Sequence, residues 1–434
     1  MRDLLLCLFI FGSLPFILKR PTLGALMWVW ISVMSPHSQS WDYAASLPFA
    51  YIVAVVTLFS MLLSHEPKNL PMTPVSCALI AFVLWMNLTT PFALLPEASM
   101  EQWLKVMKIM LMTFVVMMLI RSKQDVLRLL WVIVFSLGFY GVKGGIFTIR
   151  SGGSDRVWGP DMTFIADNNA CALAMVMTIP LMYYLQQNSE NKWLRRALTV
   201  MMVLSALSAL ASYSRGGLLA IAAMGGFMWI KSGKKLVLGG LFTVCAPLLL
   251  VFMPSQWDAR MDSIGAYDTD VSVQGRFNAW GMAYNLAKDR FMGGGFEVAD
   301  LSVFSRYAPN PLDVHAAHSI YFEALGEHGF VGLGLYLLLG VQTWRAANWI
   351  IRNSRAREHL RWALGMATMI QASLIGFAVG GAFLSLLYYD VPYYLMAAIV
   401  ATRALVEREV AADPVRRPPP RKALDIRLPA PDLP

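Results

Sequence analysis

The residue types that could move a proton and hold a phosphate collect in one polar stretch. Between Pro254 and Gly329 the chain reads, in part, VQGRFNAWGMAYNLAKDRFMGGGFEVADLSVFSRYAPNPLDVHAAHSIYFEALGEHGF, and it carries Arg276, Lys288, Arg290, Arg306, His315, His318 and Glu323. His315 and His318 form a His-x-x-His pair, and Glu323 and Glu327 follow where either carboxylate could orient an imidazole if the segment were helical. An imidazole titrating near ~6.5 is matched to taking a proton from a hydroxyl at neutral pH. The bland alternative is a polar surface histidine on a loop. As a metal site the pair lacks the i, i+4 spacing of a helical zinc motif and any obvious third and fourth ligand, so neither metal nor cofactor is expected. The run Gly293-Gly294-Gly295 lacks the Lys and Ser or Thr of a phosphate loop and reads as a tight turn.

Four arginines stand beside apolar sequence. Arg215, in SYSRGGLLA, lies between two apolar runs; Arg276 opens GRFNAW with helical spacing to Trp280; Arg150 and Arg156 bracket RSGGSDRVWGP. Guanidinium forks bind phosphate in bidentate fashion and keep their charge at any working pH, so these positions suit an anionic, lipid-linked ligand. They could equally pair with Asp155, Asp161, Asp167 or Asp270, or snorkel to headgroups. Lys143, Arg290 and the helically spaced Lys105 and Lys108 are secondary candidates.

The elements that must position these residues are membrane spans. The 434 residues are 57% apolar and 15% charged, with mean hydropathy +0.53, whereas a soluble domain carries about 25% charged residues. Apolar runs fall at 3–18, 21–36, 44–64, 74–94, 103–120, 125–148, 169–186, 197–213, 216–231, 236–253, 329–350, 362–386 and 391–406. They lack the alternation of a transmembrane barrel, and the first two are short enough to form a hairpin. The expectation is an all-α polytopic membrane protein of about 12 crossings, within a range of roughly 11 to 13. The opening charged-then-apolar run shows no small-residue cleavage site and is taken as part of the membrane body. Cys7, Cys77, Cys171 and Cys245 show no short paired spacing, which argues against a disulfide framework or thiolate metal site.

The net charge of +9 does not point to nucleic acid, because the basic residues cluster in alternate connections. These are Lys19/Arg20, Arg121/Lys123/Arg128, Lys192/Arg195/Arg196, Lys231/Lys234/Lys235 and Arg352/Arg355/Arg357/Arg361, which the positive-inside rule makes cytoplasmic. The polar insert then lies on the opposite side, outside the cytoplasm, where its ten acidic against five basic residues from Asp258 to Glu327 are easily accommodated. The expected organisation is N-terminal spans over 1–253, a large periplasmic loop with the reactive residues over 254–328, C-terminal spans over 329–406, and a proline-rich cytoplasmic tail over 407–434.

From Tyr213-Ser214-Arg215-Gly216 through the last spans, the chain resembles the O-antigen ligase and polymerase superfamily, whose shared region begins near an SRG turn and ends after a histidine-bearing extracytoplasmic loop. MRDLLLCLFIFGSLPFILKRP, QGRFNAW and RYAPNPLDVHAAHSIYFEALGEHGFVG resemble more closely the exosortase-associated O-glycosylation ligases. The resemblance implies a metal-independent, multi-spanning glycosyltransferase in the bacterial inner membrane. Its donor would be a glycan on undecaprenyl diphosphate and its acceptor the lipid A core oligosaccharide, with membrane lipids and no nucleic acid as partners. It also implies Arg215 and Arg276 as diphosphate binders and His318 as the base, with Ser319 standing where the family usually has asparagine. Direct displacement would invert the anomeric centre. The likeness leaves open a repeat-unit polymerase and a protein O-oligosaccharyltransferase. A lipid-linked oligosaccharide transporter is the reading from another class, and the paired halves common in transporters are not found in the sequence.

Overall fold

The protein is described from a computed structural model over residues 2–40, 43–65, 67–231 and 271–412. Among the described residues every regular element is helical. The order is α1 (Arg2–Lys19), α2 (Pro21–Met34), α3 (Phe49–Leu63), α4 (Pro74–Thr89), α5 (Pro96–Leu119), α6 (Lys123–Arg150), α7 (Asn168–Gln187), α8 (Lys192–Leu210), α9 (Arg215–Lys231), α10 (Val271–Asp289), α11 (Leu301–Tyr307), α12 (Ile320–Ser354), α13 (Arg361–Gly380) and α14 (Asp390–Ala412).

The helix starts are legible as local chemistry. Pro21, Pro74 and Pro96 occupy first positions, where the missing N–H has no intrahelical partner to lose. Thr73, Ser122, Asp167, Asn191 and Ser214 each accept a first-turn backbone N–H through a side-chain oxygen.

Among the described residues, seven helical stretches are long and apolar enough to cross a membrane: Pro74–Phe92, Pro96–Leu119, Lys123–Arg150, Asn168–Gln187, Lys192–Leu210, Ile320–Ser354 and Glu358–Phe383. α2 and α3 are shorter apolar helices. The expected span at 236–253, the stretch 254–270 and the tail from 413 onward lie outside the described residues. α7 is the hub, packed by α6, α8, α9 and α13 and buried over 83% of its span. α1 and α3 instead turn Leu4, Leu5, Phe9, Phe16, Tyr51 and Phe59 outward, the apolar surface a bilayer would cover. Small residues let α6 and α8 approach closely: a Cβ at Gly145 would lie 2.4 Å from the Leu204 carbonyl oxygen.

Connections sort to two ends. At one end Arg121 donates to the Asn69 carbonyl, Lys123 lies 5.5 Å over the Trp362 ring, and Tyr184 donates to the Trp362 carbonyl. This end gathers basic connections. At the other end Val157 bonds Ala211, Leu94 bonds Gly294, and His318 bonds Ser385, so the segments 90–95, 151–167, 211–214, 290–319 and 381–389 meet there.

The described part of the polar insert is itself folded. It comprises α10, α11 and the first two turns of α12, which begins at Ile320 and breaks at Gly329 (φ 67°). The break admits the three-glycine run: Gly294 and Gly295 donate to the Gly326 and Glu327 carbonyls, both at 2.9 Å. A Cβ on Gly329 would stand 2.3 Å from the Phe291 carbonyl oxygen. Gly293-Gly294-Gly295 is therefore a strap laid directly against helix backbone, at a separation only glycine permits.

Candidate active site

The first wall of the site is the turn between α8 and α9. Ser214 caps α9 by accepting the Gly217 N–H (2.9 Å), which puts Arg215 at the first helical position. Asn168 donates to the Ser212 carbonyl at 2.7 Å, tying the start of α7 to this turn. Tyr213 has φ 56° and its hydroxyl donates to the Gly153 carbonyl. Arg156 lies 5.9 Å over the Tyr213 ring and 5.7 Å over that of Trp158, so this secondary candidate stands beside the SRG turn. Gly216 faces Phe383, 3.5 Å from where its Cβ would be, which brings the turn against the segment after α13.

The second wall is α10 with the loop 308–319 fastened along it. Asn278 is 7% exposed; its Nδ2 donates to the Asn310 and Asp313 carbonyls, both at 2.8 Å, and its Oδ1 accepts the Asn310 N–H at 2.7 Å. Trp280 donates from Nε1 to the Ala317 carbonyl (2.7 Å) and stacks on Phe322 at 4.7 Å. Gly275 makes room for the ring of His315, whose Nε2 is 2.7 Å from Asp313 Oδ1. In the motif QGRFNAW, then, the glycine, asparagine and tryptophan hold the histidine loop.

His318 closes the loop. It has φ 41°, a left-handed conformation uncommon outside glycine and asparagine, and its backbone N–H donates to Ser385 Oγ at 3.0 Å. Its side chain reaches solvent, yet the surrounding protein desolvates the imidazole and lowers its pKa. The Arg276 guanidinium and His315 lower it further, and Asp167 opposes them. Arg276 and Asp167 are thus close enough for their charges to be felt at the ring. The Nε atoms of Arg215 and Arg276 are both buried, so each guanidinium is rooted in protein. An imidazole of lowered pKa beside the Arg276 guanidinium can take a proton, and the guanidinium can offset negative charge on a leaving group.

The other candidates have different surroundings. Arg290 donates to the Phe92 carbonyl (2.6 Å) and the Gly293 carbonyl (3.2 Å), clamping the glycine strap. Lys143 is exposed on α6, whose neighbouring glycines face α8. His328 is fully buried, with Nδ1 2.8 Å from Thr89 Oγ1 and Nε2 2.8 Å from the Tyr388 hydroxyl. Glu323 accepts the Leu387 N–H at 3.1 Å.

Sequence reasoning did not single out Glu297 or Ser385, and left Glu327 among the side chains that could orient an imidazole. Glu327 accepts from the Glu297 N–H (2.9 Å) and from the Tyr388 hydroxyl. Glu297, Glu323 and Glu327 line one cavity of about 170 Å³ together with Ser385. The i, i+4 spacing of Glu323 and Glu327 was the only signal in sequence; Glu297 and Ser385 are joined to them by tertiary contacts alone. Among the described residues no three His, Cys, Asp or Glu side chains converge as metal ligands.

Fold and site together define a multi-pass helical membrane protein with a cationic and imidazole-bearing cluster at one end of its bundle. Residues 200–337 match the family described as O-Antigen ligase, and residues 1–190 match a family of unknown function (DUF5935). A search of curated proteins finds no match. The segment carrying Arg215, Arg276 and His318 therefore lies within the O-antigen ligase match, which supports a glycosyltransferase-type enzyme of the ligase or polymerase kind.

Proposed function

We propose that this protein is an O-antigen ligase of the exosortase-associated kind. In this reading it moves a polysaccharide from undecaprenyl diphosphate to the lipid A core oligosaccharide, without a metal, at the periplasmic face of the bacterial inner membrane. The observation that carries the reading is the convergence on His318 of the Arg276 charge and of Ser385, two residues beyond Phe383, which abuts Gly216 next to Arg215. Two further features support it. Basic connections gather at the opposite end of the bundle, as expected if that end is cytoplasmic. An almost wholly apolar groove of about 270 Å³, lined by Tyr321, Tyr336, Leu337, Trp344, Leu374 and Phe377, starts beside Ile320, two residues beyond His318, and suits a polyprenyl chain.

The neutral imidazole of His318 takes the proton from the acceptor hydroxyl. The freed oxygen forms a bond to the anomeric carbon as the bond from that carbon to the diphosphate oxygen breaks. The electron pair leaves with undecaprenyl diphosphate, whose charge Arg215 and Arg276 offset, and the configuration inverts. The imidazolium then releases its proton to solvent.

The test is transfer in vitro from purified lipid-linked glycan to extracted lipid A core, in the presence of EDTA. Product is expected from the wild type and not from His318→Asn. Wild-type activity in that variant, or loss of activity on chelation, would overturn the assignment. In a deletion strain, an uncapped core marks a ligase, whereas altered chain length marks a polymerase and a missing glycoprotein marks an oligosaccharyltransferase.

A further inference from the structure

The cavity of about 170 Å³ beside His318 has a composition opposite to that of the arginine wall. Glu297, Glu323 and Glu327 line it, together with Phe164, Phe322 and Ser385. Room for roughly five or six waters, at about 30 Å³ each, is the scale of one sugar ring rather than an oligosaccharide. Ser385 is shared ground, because its Oγ holds the His318 backbone while the residue also faces the cavity.

Two details describe how the glutamates are held. Glu297 has φ 58°, strained for a non-glycine residue, and its N–H is pinned to Glu327 Oε1 at 2.9 Å. Such strain persists only where surrounding structure enforces it. Here Glu327, itself fixed by Tyr388, does so, and the Glu297 side chain is left on the cavity wall. Glu323 bonds Leu387 N–H through Oε2 alone, and among the described residues nothing donates to its other oxygen. Carboxyl groups exchange hydrogen bonds with hydroxyl groups, and the Phe164 and Phe322 side chains give the cavity apolar wall.

The geometry points to this cavity as the acceptor subsite, in which Glu297 and Glu323 bind the hydroxyl groups of the uncharged sugar that presents its nucleophilic oxygen to His318. The inference rests on the glycosyl-transfer reading of the site. It divides the centre by charge: anionic donor head at Arg215 and Arg276, neutral hydroxyl-rich acceptor at the glutamates. Glu327 is a positioning residue, acting through Glu297.

The experiment uses the full-length protein in nanodiscs, with Glu297→Gln and Glu323→Gln, which keep volume and, for Glu323, an acceptor for Leu387 N–H. The first readout is transfer kinetics with purified lipid-linked glycan and extracted lipid A core. Each variant is expected to raise the acceptor KM at least about tenfold while leaving the donor KM unchanged. The second is saturation-transfer NMR with the delipidated core oligosaccharide and no donor. Contact signals are expected from the wild type and should fade in both variants. An unchanged acceptor KM, a donor KM that rises instead, or equal NMR contacts in wild type and variants would overturn the subsite. Glutamate-dependent NMR binding without any transfer would preserve the subsite and sink the transfer reading; transfer indifferent to both variants would do the reverse.

Discussion

Replacing Asn278 by alanine is expected to free the loop that carries His318. Asn278 makes three hydrogen bonds to that loop, at 2.8, 2.8 and 2.7 Å, from a position 7% exposed. At about 1 kcal/mol each the loss is roughly 3 kcal/mol, on the order of 10² in the equilibrium for local opening. Trp280 still holds the Ala317 carbonyl, so the effect should be graded along the loop. Hydrogen–deuterium exchange on the full-length protein in nanodiscs should show acceleration at 309–314 that exceeds any change at 316–319. Asn278→Asp keeps the acceptor for Asn310 but faces two carbonyls with a carboxylate, and is expected to be at least as damaging. If His318 moves by about 1 Å, transfer should fall on the order of 10²-fold. Exchange at 309–314 within about threefold of wild type would refute the reasoning, since three real hydrogen bonds cannot be lost so cheaply.

Further outcomes are expected from changes at His318, Arg276, Gly145 and Gly226. With His318 as base, transfer rises with pH as the imidazole loses its proton, and the midpoint lies below the ordinary histidine value because of burial and the Arg276 charge; Arg276→Gln should move that limb to higher pH in a pH–rate profile. His318→Asn should lower transfer by about 10²–10⁴-fold at unchanged Tm, since asparagine tolerates the φ of 41° better than alanine does. Gly145→Ala should lower Tm, as a Cβ there meets the Leu204 carbonyl at 2.4 Å and overpacking costs about 1–3 kcal/mol. Gly226→Ala, with nothing within 4 Å, should be neutral or stabilising.

The helical, multi-pass architecture was legible in composition and apolar run length, because a bilayer forces each span to satisfy its own backbone. The apolar runs from 74, 125 and 216 begin as helices at Pro74, Lys123 and Arg215, within two residues of where the runs start. Arg215, Arg276 and His318 stood out by residue type and motif. What those marks could not separate was reach. Arg290 has the same chemistry as Arg276, yet it bonds the Phe92 and Gly293 carbonyls, and Lys143 faces outward from α6.

The chain by itself determined that apolar helices would span a membrane, that basic connections would alternate, and that guanidinium and imidazole groups would be available in one polar insert. Tertiary structure alone decided that Asn278 and Trp280 lash the His318 loop to α10, that a glycine strap enters the break at Gly329, and that Glu297, Glu323, Glu327 and Ser385 share a cavity. The physical reason is range. Hydropathy and capping act between neighbours along the chain, whereas a site made from residues 167 to 388 exists only after helices far apart in sequence have packed.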